Sequence, residues 1–278
     1  MPLLAHSVPV TTPHQPAVEE SSSPSVSATP PGPFHISLYE PNYILPLSYV
    51  TAPDEAVYAG QTPDNQRVSH VELKFQISFK VPVWADIGGQ PLTLYGAYTQ
   101  KSFWQAYVSS AYFRESDYEP SMFLNYAWGE SLPWGWTLDS VDLGAVHQSN
   151  GRGGTLERSW NRLYLAATAS HGPWVFRIQP WYPVPDFTLR EHNPDIAHYL
   201  GYGRWVVSYH LGRQTFSILS RNNLTSGFTR GAWELSWSFP LGKTLHGYMQ
   251  VFSGYGQSLI EYDHRTTAVG LGISLNDW

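Results

Sequence analysis

Val71-Glu72-Leu73-Lys74-Phe75-Gln76-Ile77-Ser78-Phe79-Lys80-Val81-Pro82-Val83 alternates between two kinds of residue. Val71, Leu73, Phe75, Ile77, Phe79, Val81 and Val83 share one parity. Glu72, Lys74, Gln76, Ser78, Lys80 and Pro82 share the other. Period two over this length reads as a β-strand and not a helix. Strands of soluble domains usually run ~5–6 residues, whereas a tilted strand needs ~9–11 residues to cross a bilayer. The stretch therefore predicts a strand that spans a membrane.

Working outward, the same alternation recurs more weakly. Trp233, Leu235, Trp237 and Phe239 alternate with Glu234, Ser236 and Ser238, and Val269, Leu271, Ile273 and Leu275 with Gly270, Gly272 and Ser274. Further strands are read near 36–50, 91–108, 119–130, 135–149, 159–170, 174–185, 198–211, 213–222, 230–239, 243–255 and 265–278, which with 71–83 makes twelve. Short breaks at 170–173 and 240–243 look like tight turns. Longer breaks are read at 52–70, 109–118, 150–158, 186–197 and 256–264. Short turns on one side and longer loops on the other mark an outer-membrane barrel, and an even strand count returns both chain ends to one side. The expected fold is all-β, a twelve-stranded antiparallel transmembrane β-barrel over 34–278. Residues 1–33, rich in Pro, Ser, Thr and Val, read as a disordered or stiff N-terminal tether.

Composition agrees. Charged residues make up 14% of the chain, against ~25% in an average soluble domain. Aromatic residues reach 15%, with 12 Trp and 18 Tyr, which suits an apolar exterior with wet rims. No run approaches the ~18 apolar residues of a membrane helix. A net charge of -6 without a basic run gives no reason to expect nucleic acid. Cys is absent, which excludes disulfides, thiolate zinc sites and a Cys nucleophile. Residues Met1 to Ala5 do not read as an export leader. The rival architectures are a passive porin-like barrel and a soluble lipid-binding β-barrel.

The chemistry gathers at 147–161. Before the Gly-rich loop, Val141, Leu143, Ala145, His147 and Ser149 share a parity; after it, Asn161, Leu163, Leu165, Ala167 and Ala169 do. A hairpin centred near Gly154 sets His147 opposite Asn161, with Cβ atoms ~5 Å apart. Ser149 stands ~7 Å along the strand from His147. Ser149 is the candidate nucleophile, His147 its general base, and Asn161 the group that orients the imidazole. Gly151 is a candidate source of an oxyanion N–H. Backbone carbonyls, Thr155 and the Glu157 carboxylate offer oxygens to a hard cation. Each has a bland reading: a chance His-x-Ser, a turn amide, a turn glycine pair, a solvated Glu157–Arg158 pair. Three polar groups on one lipid-directed face are costly, however, and favour a functional site. The substrate of a hydrolase facing lipid is the acyl ester of a phospholipid or lysophospholipid.

The sequence resembles the outer-membrane phospholipase A family over about 34–278. The resemblance rests on Glu40-Pro41-Asn42-Tyr43-Ile44-Leu45-Pro46, Tyr98-Thr99-Gln100-Lys101-Ser102, Phe113-Arg114-Glu115 with Tyr118-Glu119-Pro120, His147 to Arg152, Arg158 to Tyr164, and Gly254-Tyr255-Gly256 with Ser258-Leu259-Ile260. It implies a calcium-dependent outer-membrane enzyme with phospholipase A1, A2 and lysophospholipase activity, monomeric at rest and activated as a homodimer, with its active site on the outer-leaflet side. It puts the catalytic residues on His147, Ser149 and Asn161 and the oxyanion amide on Gly151. It puts a calcium-ligating carbonyl on Arg152, a calcium ligand reaching across the dimer on Ser110, and a dimer-interface Gln on Gln100. Glu157 stands where better-known family members have a calcium-ligating Ser.

Overall fold

A strand in lipid has no water to satisfy its N–H and C=O groups, so a spanning sheet must close on itself. The computed structural model describes residues 35–185, 192–222, 226–243 and 245–278. Twelve long strands are present among them: β1 (Asn42–Val50), β2 (Val71–Trp84), β3 (Leu92–Gln105), β4 (Tyr112–Ser131), β5 (Thr137–Ser149), β6 (Ser159–His171), β7 (Trp174–Val184), β8 (Gly203–Leu211), β9 (Gln214–Asn222), β10 (Gly231–Pro240), β11 (His246–Tyr255) and β12 (Arg265–Asn276). Sequence neighbours pair antiparallel, and β12 returns to β1 through Ala268↔Val50, Leu271↔Leu47 and Ser274↔Tyr43. The barrel is closed. No helix among the described residues is long and apolar enough to cross a membrane. The expected tether at 1–33 lies outside the described residues, as do 186–191 of one expected loop.

The polarity of this barrel is inverted, as the alternation requires. Glu72, Lys74, Gln76 and Ser78 of β2 are buried inside, while Ile77 and Val83 face outward. Lys74 Nζ donates to Gln250 Oε1 across the lumen at 2.6 Å. Exposed Trp84, Trp128, Trp134, Trp174 and Trp237 ring the end with short turns. Tyr49, Tyr107, Tyr182, Tyr202 and Trp233 ring the end with long loops. Such aromatic residues sit at the two membrane–water boundaries.

Two boundaries differ from the sequence reading, each for a local reason. Residues 109–118 were expected as a break, yet β4 begins at Tyr112. Its ladder to β3 slips there: Phe103 pairs with Glu115 and Trp104 with Phe113, leaving Arg114 as the extra residue of a bulge. A bulge puts two successive side chains out of simple alternation, and Arg114 and Glu115 are both buried. Residues 198–202 are not strand, because Ile196–Leu200 forms a short helix, α1, whose Ile196 and Leu200 pack on Trp160 and Trp181. Pro46 lies within β1, at the irregularity between Leu45 and Ser48 where a missing N–H is tolerated.

Residues 256–264 fold into the long-loop end of the lumen. The Leu259 N–H donates to both oxygens of Asp117, at 3.1 and 3.0 Å, and the Ile260 N–H to Glu115 Oε1 at 3.2 Å. Arg114, wholly buried, donates to Glu72 Oε1 and Glu261 Oε2, each at 2.8 Å, and to the Tyr58 hydroxyl at 3.0 Å. Removing one partner of such a buried pair leaves an uncompensated charge, which costs roughly 3–5 kcal/mol. Burial pushes the Glu261 carboxyl up, but the Arg114 guanidinium and the Ser258 hydroxyl outweigh it and hold Glu261 below the usual carboxylate range.

A carboxyl with a lowered folded pKa contributes stability above its unfolded pKa and loses it as pH falls toward the folded value. The part of the hold on 256–264 that Glu261 supplies should therefore be complete at neutral pH and be lost as pH falls below the ordinary carboxylate range. Limited proteolysis by an acid-active protease across pH 2–6 reads this, and Glu261→Gln should remove the Glu261-dependent part of the acid step.

Candidate active site

The β5–β6 hairpin fixes which side chains meet. His147 pairs with Asn161 and Ser149 with Ser159. Both strands turn Asp142, Val146, Arg162 and Tyr164 into the barrel, and Leu143, Leu163 and Leu165 outward. His147 and Asn161 lie on that outward, exposed face. The inward face is close-packed: a Cβ on Gly144 would stand 2.5 Å from the Tyr164 ring, so the hairpin has no room to roll inward.

His147 Nδ1 lies 2.9 Å from Asn161 Oδ1. An amide oxygen only accepts, so Nδ1 carries the proton and Nε2 keeps its lone pair. Ser149 stands two residues along on the same face, ~7 Å of strand away, and no hydrogen bond joins the two among the described residues. One lateral row crosses four strands here: Gln100 pairs with Tyr118, Tyr118 with Ser149, and Ser149 with Ser159. Neighbouring strands lie ~4.8 Å apart, so Gln100 is ~10 Å from the nucleophile position. Gln100 accepts from the Tyr98 hydroxyl at 2.9 Å and donates to Ser102 Oγ at 3.0 Å. Ser102 Oγ in turn lies 2.8 Å from Ser116 Oγ, which continues a polar track on this side of the barrel.

Gly151 follows in a left-handed conformation, φ 64°. A Cβ there would lie 3.1 Å from the Tyr118 ring. Its neighbours' amides are engaged: Asn150 N donates to the Arg158 carbonyl at 3.1 Å and Arg152 N to Asn150 Oδ1 at 3.3 Å. Among the described residues the Gly151 N–H has no partner. An unpartnered N–H beside a nucleophile position is what an oxyanion needs.

The turn is braced from within. Buried Asn150 donates to the Leu156 carbonyl at 2.8 Å and accepts from Arg158 N at 3.0 Å. Arg152 reaches Glu115 Oε2 at 2.8 Å and also donates to the Arg114 carbonyl. Buried Asn193 holds the backbone of Ser159 through both its N–H and C=O, at 3.0 and 2.9 Å. A groove of about 340 Å³ opens beside Asn161, lined by Tyr182, Val184, Ile196, Ala197 and Tyr202.

The metal candidates divide into two groups. The Glu157 side chain is 45% exposed, and its Oε2 lies 3.6 Å from His192 Nε2. Arg158 does not pair with that carboxylate; it donates to the Thr155 and Glu157 carbonyls at 3.0 and 2.8 Å. Ser110 sits apart, its hydroxyl donating to Asp64 Oδ2 at 2.7 Å and its carbonyl accepting from Gln66 at 2.9 Å. It makes no bond to Arg152 or Glu157 among the described residues, where no group of three or more His, Cys, Asp or Glu converges either. The donors available are oxygens throughout, and the Glu157 carboxylate pairs with no Lys or Arg among the described residues, so the set fits a hard cation with part of its shell supplied from elsewhere.

Sequence reading placed the triad, Gly151, Arg152 and Gln100, but assigned no role to Arg114, Glu115, Tyr118, Asn150 or Asn193. Phe113-Arg114-Glu115 and Tyr118 stood within recognised segments. The bulge concealed the strand that carries them.

The family model for phospholipase A1 matches residues 22–275. The phospholipase A1 of Klebsiella pneumoniae is 40% identical over 265 residues, covering 95% of this chain and 90% of that protein. The outer membrane phospholipase A structure from Escherichia coli superposes with a TM-score of 0.82 at 39% identity, covering 88% of this chain and 99% of that one. A calcium-bound dimer of the Salmonella typhi outer membrane phospholipase also reaches a TM-score of 0.82, at 38% identity, covering 88% and 94%.

The His147–Asn161 bond has a spectroscopic consequence. In Asn161→Ala the acceptor on Nδ1 is gone, so 15N NMR of His147 should shift from the Nδ1–H tautomer toward a mixture richer in Nε2–H. An unchanged tautomer would show that another group orients the ring.

Proposed function

The chain belongs to the phospholipase A1 family, and on that premise we propose that His147, Ser149 and Asn161 form its catalytic triad. The fold and family make it a phospholipase of the outer-membrane barrel type. The proposed activity is calcium-dependent serine hydrolysis of acyl esters at both glycerol positions and of lysophospholipids. One observation carries the reading. A His–Asn hydrogen bond and an unpartnered Gly151 N–H flank Ser149 on the lipid-directed side of the barrel.

The chemistry follows from these atoms. Ser149 Oγ attacks the ester carbonyl carbon as His147 Nε2 takes its proton. Asn161 keeps the imidazole in the Nδ1–H tautomer, so Nε2 is free to act as base. The carbonyl oxygen becomes an oxyanion that accepts from the Gly151 N–H. Collapse breaks the ester bond, and His147 returns its proton to the departing alcohol, the lysophospholipid. Water, deprotonated by the same Nε2, then cleaves the acyl-serine and releases a fatty acid. Asn161 orients without charge, which costs less than a carboxylate beside an apolar surface.

The Arg152 carbonyl and Glu157 are the proposed calcium donors of one barrel, with Ser110 contributed by a second. Calcium bound there supplies positive charge for the developing oxyanion. The separation of Ser110 from Glu157 within one chain fits a site that two barrels complete. Gln100 is assigned to the dimer contact, where polar groups on a lipid-facing strand find partners. The monomer is the resting state and the homodimer the active one. The long loops of outer-membrane barrels face the cell exterior, which puts this site at the outer leaflet.

In phospholipid–detergent micelles, Ser149→Ala should lower hydrolysis at least ~10³-fold without disturbing the barrel. Retained turnover would rule out this nucleophile. Chelation by EDTA should abolish turnover and reduce the cross-linked dimer, both restored by calcium. Calcium-independent activity would remove the roles given to Ser110, Arg152 and Glu157.

A further inference from the structure

The catalytic turn is held from the inside of the barrel. Among the described residues, the hydrogen bonds that tie 151–157 to the barrel wall are both made by the Arg152 side chain, to Glu115 Oε2 and to the Arg114 carbonyl. The rest of the turn braces itself through Asn150 and Arg158, sets Glu157 beside His192 and the Arg158 guanidinium over the Tyr262 ring, and packs by Leu156 on the Tyr58–Val68–Ile260 cluster. Gly153 and Gly154 confer little stiffness of their own. Arg152 is therefore the hydrogen-bonded link between the turn and the sheet among the described residues.

Glu115 is built to hold that link. It is fully buried, and its second oxygen accepts the Ile260 N–H at 3.2 Å. The β4 bulge turns Glu115 and Arg114 inward together and leaves the Arg114 carbonyl outside the β3 ladder, available to Arg152. The carboxylate thus has one oxygen on the lumen-filling segment and the other on the catalytic turn.

We infer that Glu115 is a positioning residue of the catalytic turn, acting through Arg152 to set the Gly151 N–H and the Arg152 carbonyl. It touches no substrate. It fixes the guanidinium by a charge-assisted bond, and the guanidinium fixes the backbone on either side of its own Cα. A displacement of even ~1 Å at such donors costs a large part of the rate. The same carboxylate makes the turn sensitive to how well 256–264 seats in the lumen. The inference rests on the triad assignment above and extends it to a residue on the opposite face of the sheet.

The test is a double-mutant cycle with Glu115→Gln, Arg152→Met and their combination, each checked for intact barrel by heat-modifiable gel mobility. Three quantities are read: kcat, KM, and terbium binding followed by sensitised luminescence. Either single change should lower kcat roughly tenfold to a hundredfold, leave KM nearly unchanged and weaken terbium binding. The double variant should be no worse than the weaker single, because one contact is lost either way. Additive losses, or wild-type kcat in Glu115→Gln, would overturn the inference. Glu261→Gln, which loosens the same lumen segment but leaves the Glu115–Arg152 contact in place, should lower kcat less than either single change; an equal loss there would assign the effect to general loosening and overturn the inference. Arg152 is partly exposed, so if Glu115→Gln does not fold, Arg152→Met alone decides: wild-type kcat and terbium affinity refute the proposal. A wild-type protein without hydrolysis, or with Ser149→Ala fully active, would instead refute the triad on which it rests.

Discussion

Residues Ala268 to Asn276 pair with Val50 to Asn42, and this one ladder joins the two ends of the barrel wall. Without it, β1 and β12 would each present a row of unsatisfied N–H and C=O groups to lipid, where water cannot replace the lost partners. Closure also forces the alternation to become a radial division. Every second side chain meets lipid and the others meet a lumen too narrow to stay empty. Glu72, Lys74 and Gln76 can be buried only because that lumen supplies partners: Arg114 and Gln105 donate to Glu72, Lys74 donates to Gln250, and Gln76 donates to the Pro41 carbonyl. The charged interior is thus a consequence of an apolar exterior.

The active site runs against this division. His147 and Asn161 occupy outward positions, between Leu143 and Leu163, where the fold otherwise puts hydrocarbon. Their position near the long-loop rim reduces the cost, since polar groups are tolerated better at the interface than at the bilayer centre. The arrangement leaves the catalytic turn without a wall on its outer side. From the inside, Arg152 ties it to the Glu115 carboxylate and the Arg114 carbonyl.

Much of this was legible before any coordinates. The parity of 141–149 and 161–169 placed His147 opposite Asn161 because a two-residue period in a hairpin leaves one solution once the turn centre is known. The 71–83 stretch announced a spanning strand because nothing interrupts it. The stretch 109–118 was misread for the complementary reason. A bulge at Arg114 breaks the alternation where two charged side chains must both turn inward, and periodicity sees only the break. The short helix at Ile196–Leu200 was hidden likewise: five residues are too few to show a helical period, and its apolar positions fit a strand as well.

The sequence by itself determined the fold class, the alternation of the strands, and the register that sets His147 opposite Asn161. These depend on local periodicity and on pairing across one hairpin. Only the tertiary structure decided which strand closes the barrel, which segment fills the lumen, and which residues hold the catalytic turn. Glu115 and Arg152 are 37 residues apart, and Arg114 and Glu261 are 147 apart. Their charges could have been paired in many ways on paper. The strand register and the enclosed volume select one pairing, because a buried charge left without its partner costs more than any rearrangement of the loops that bring the two together.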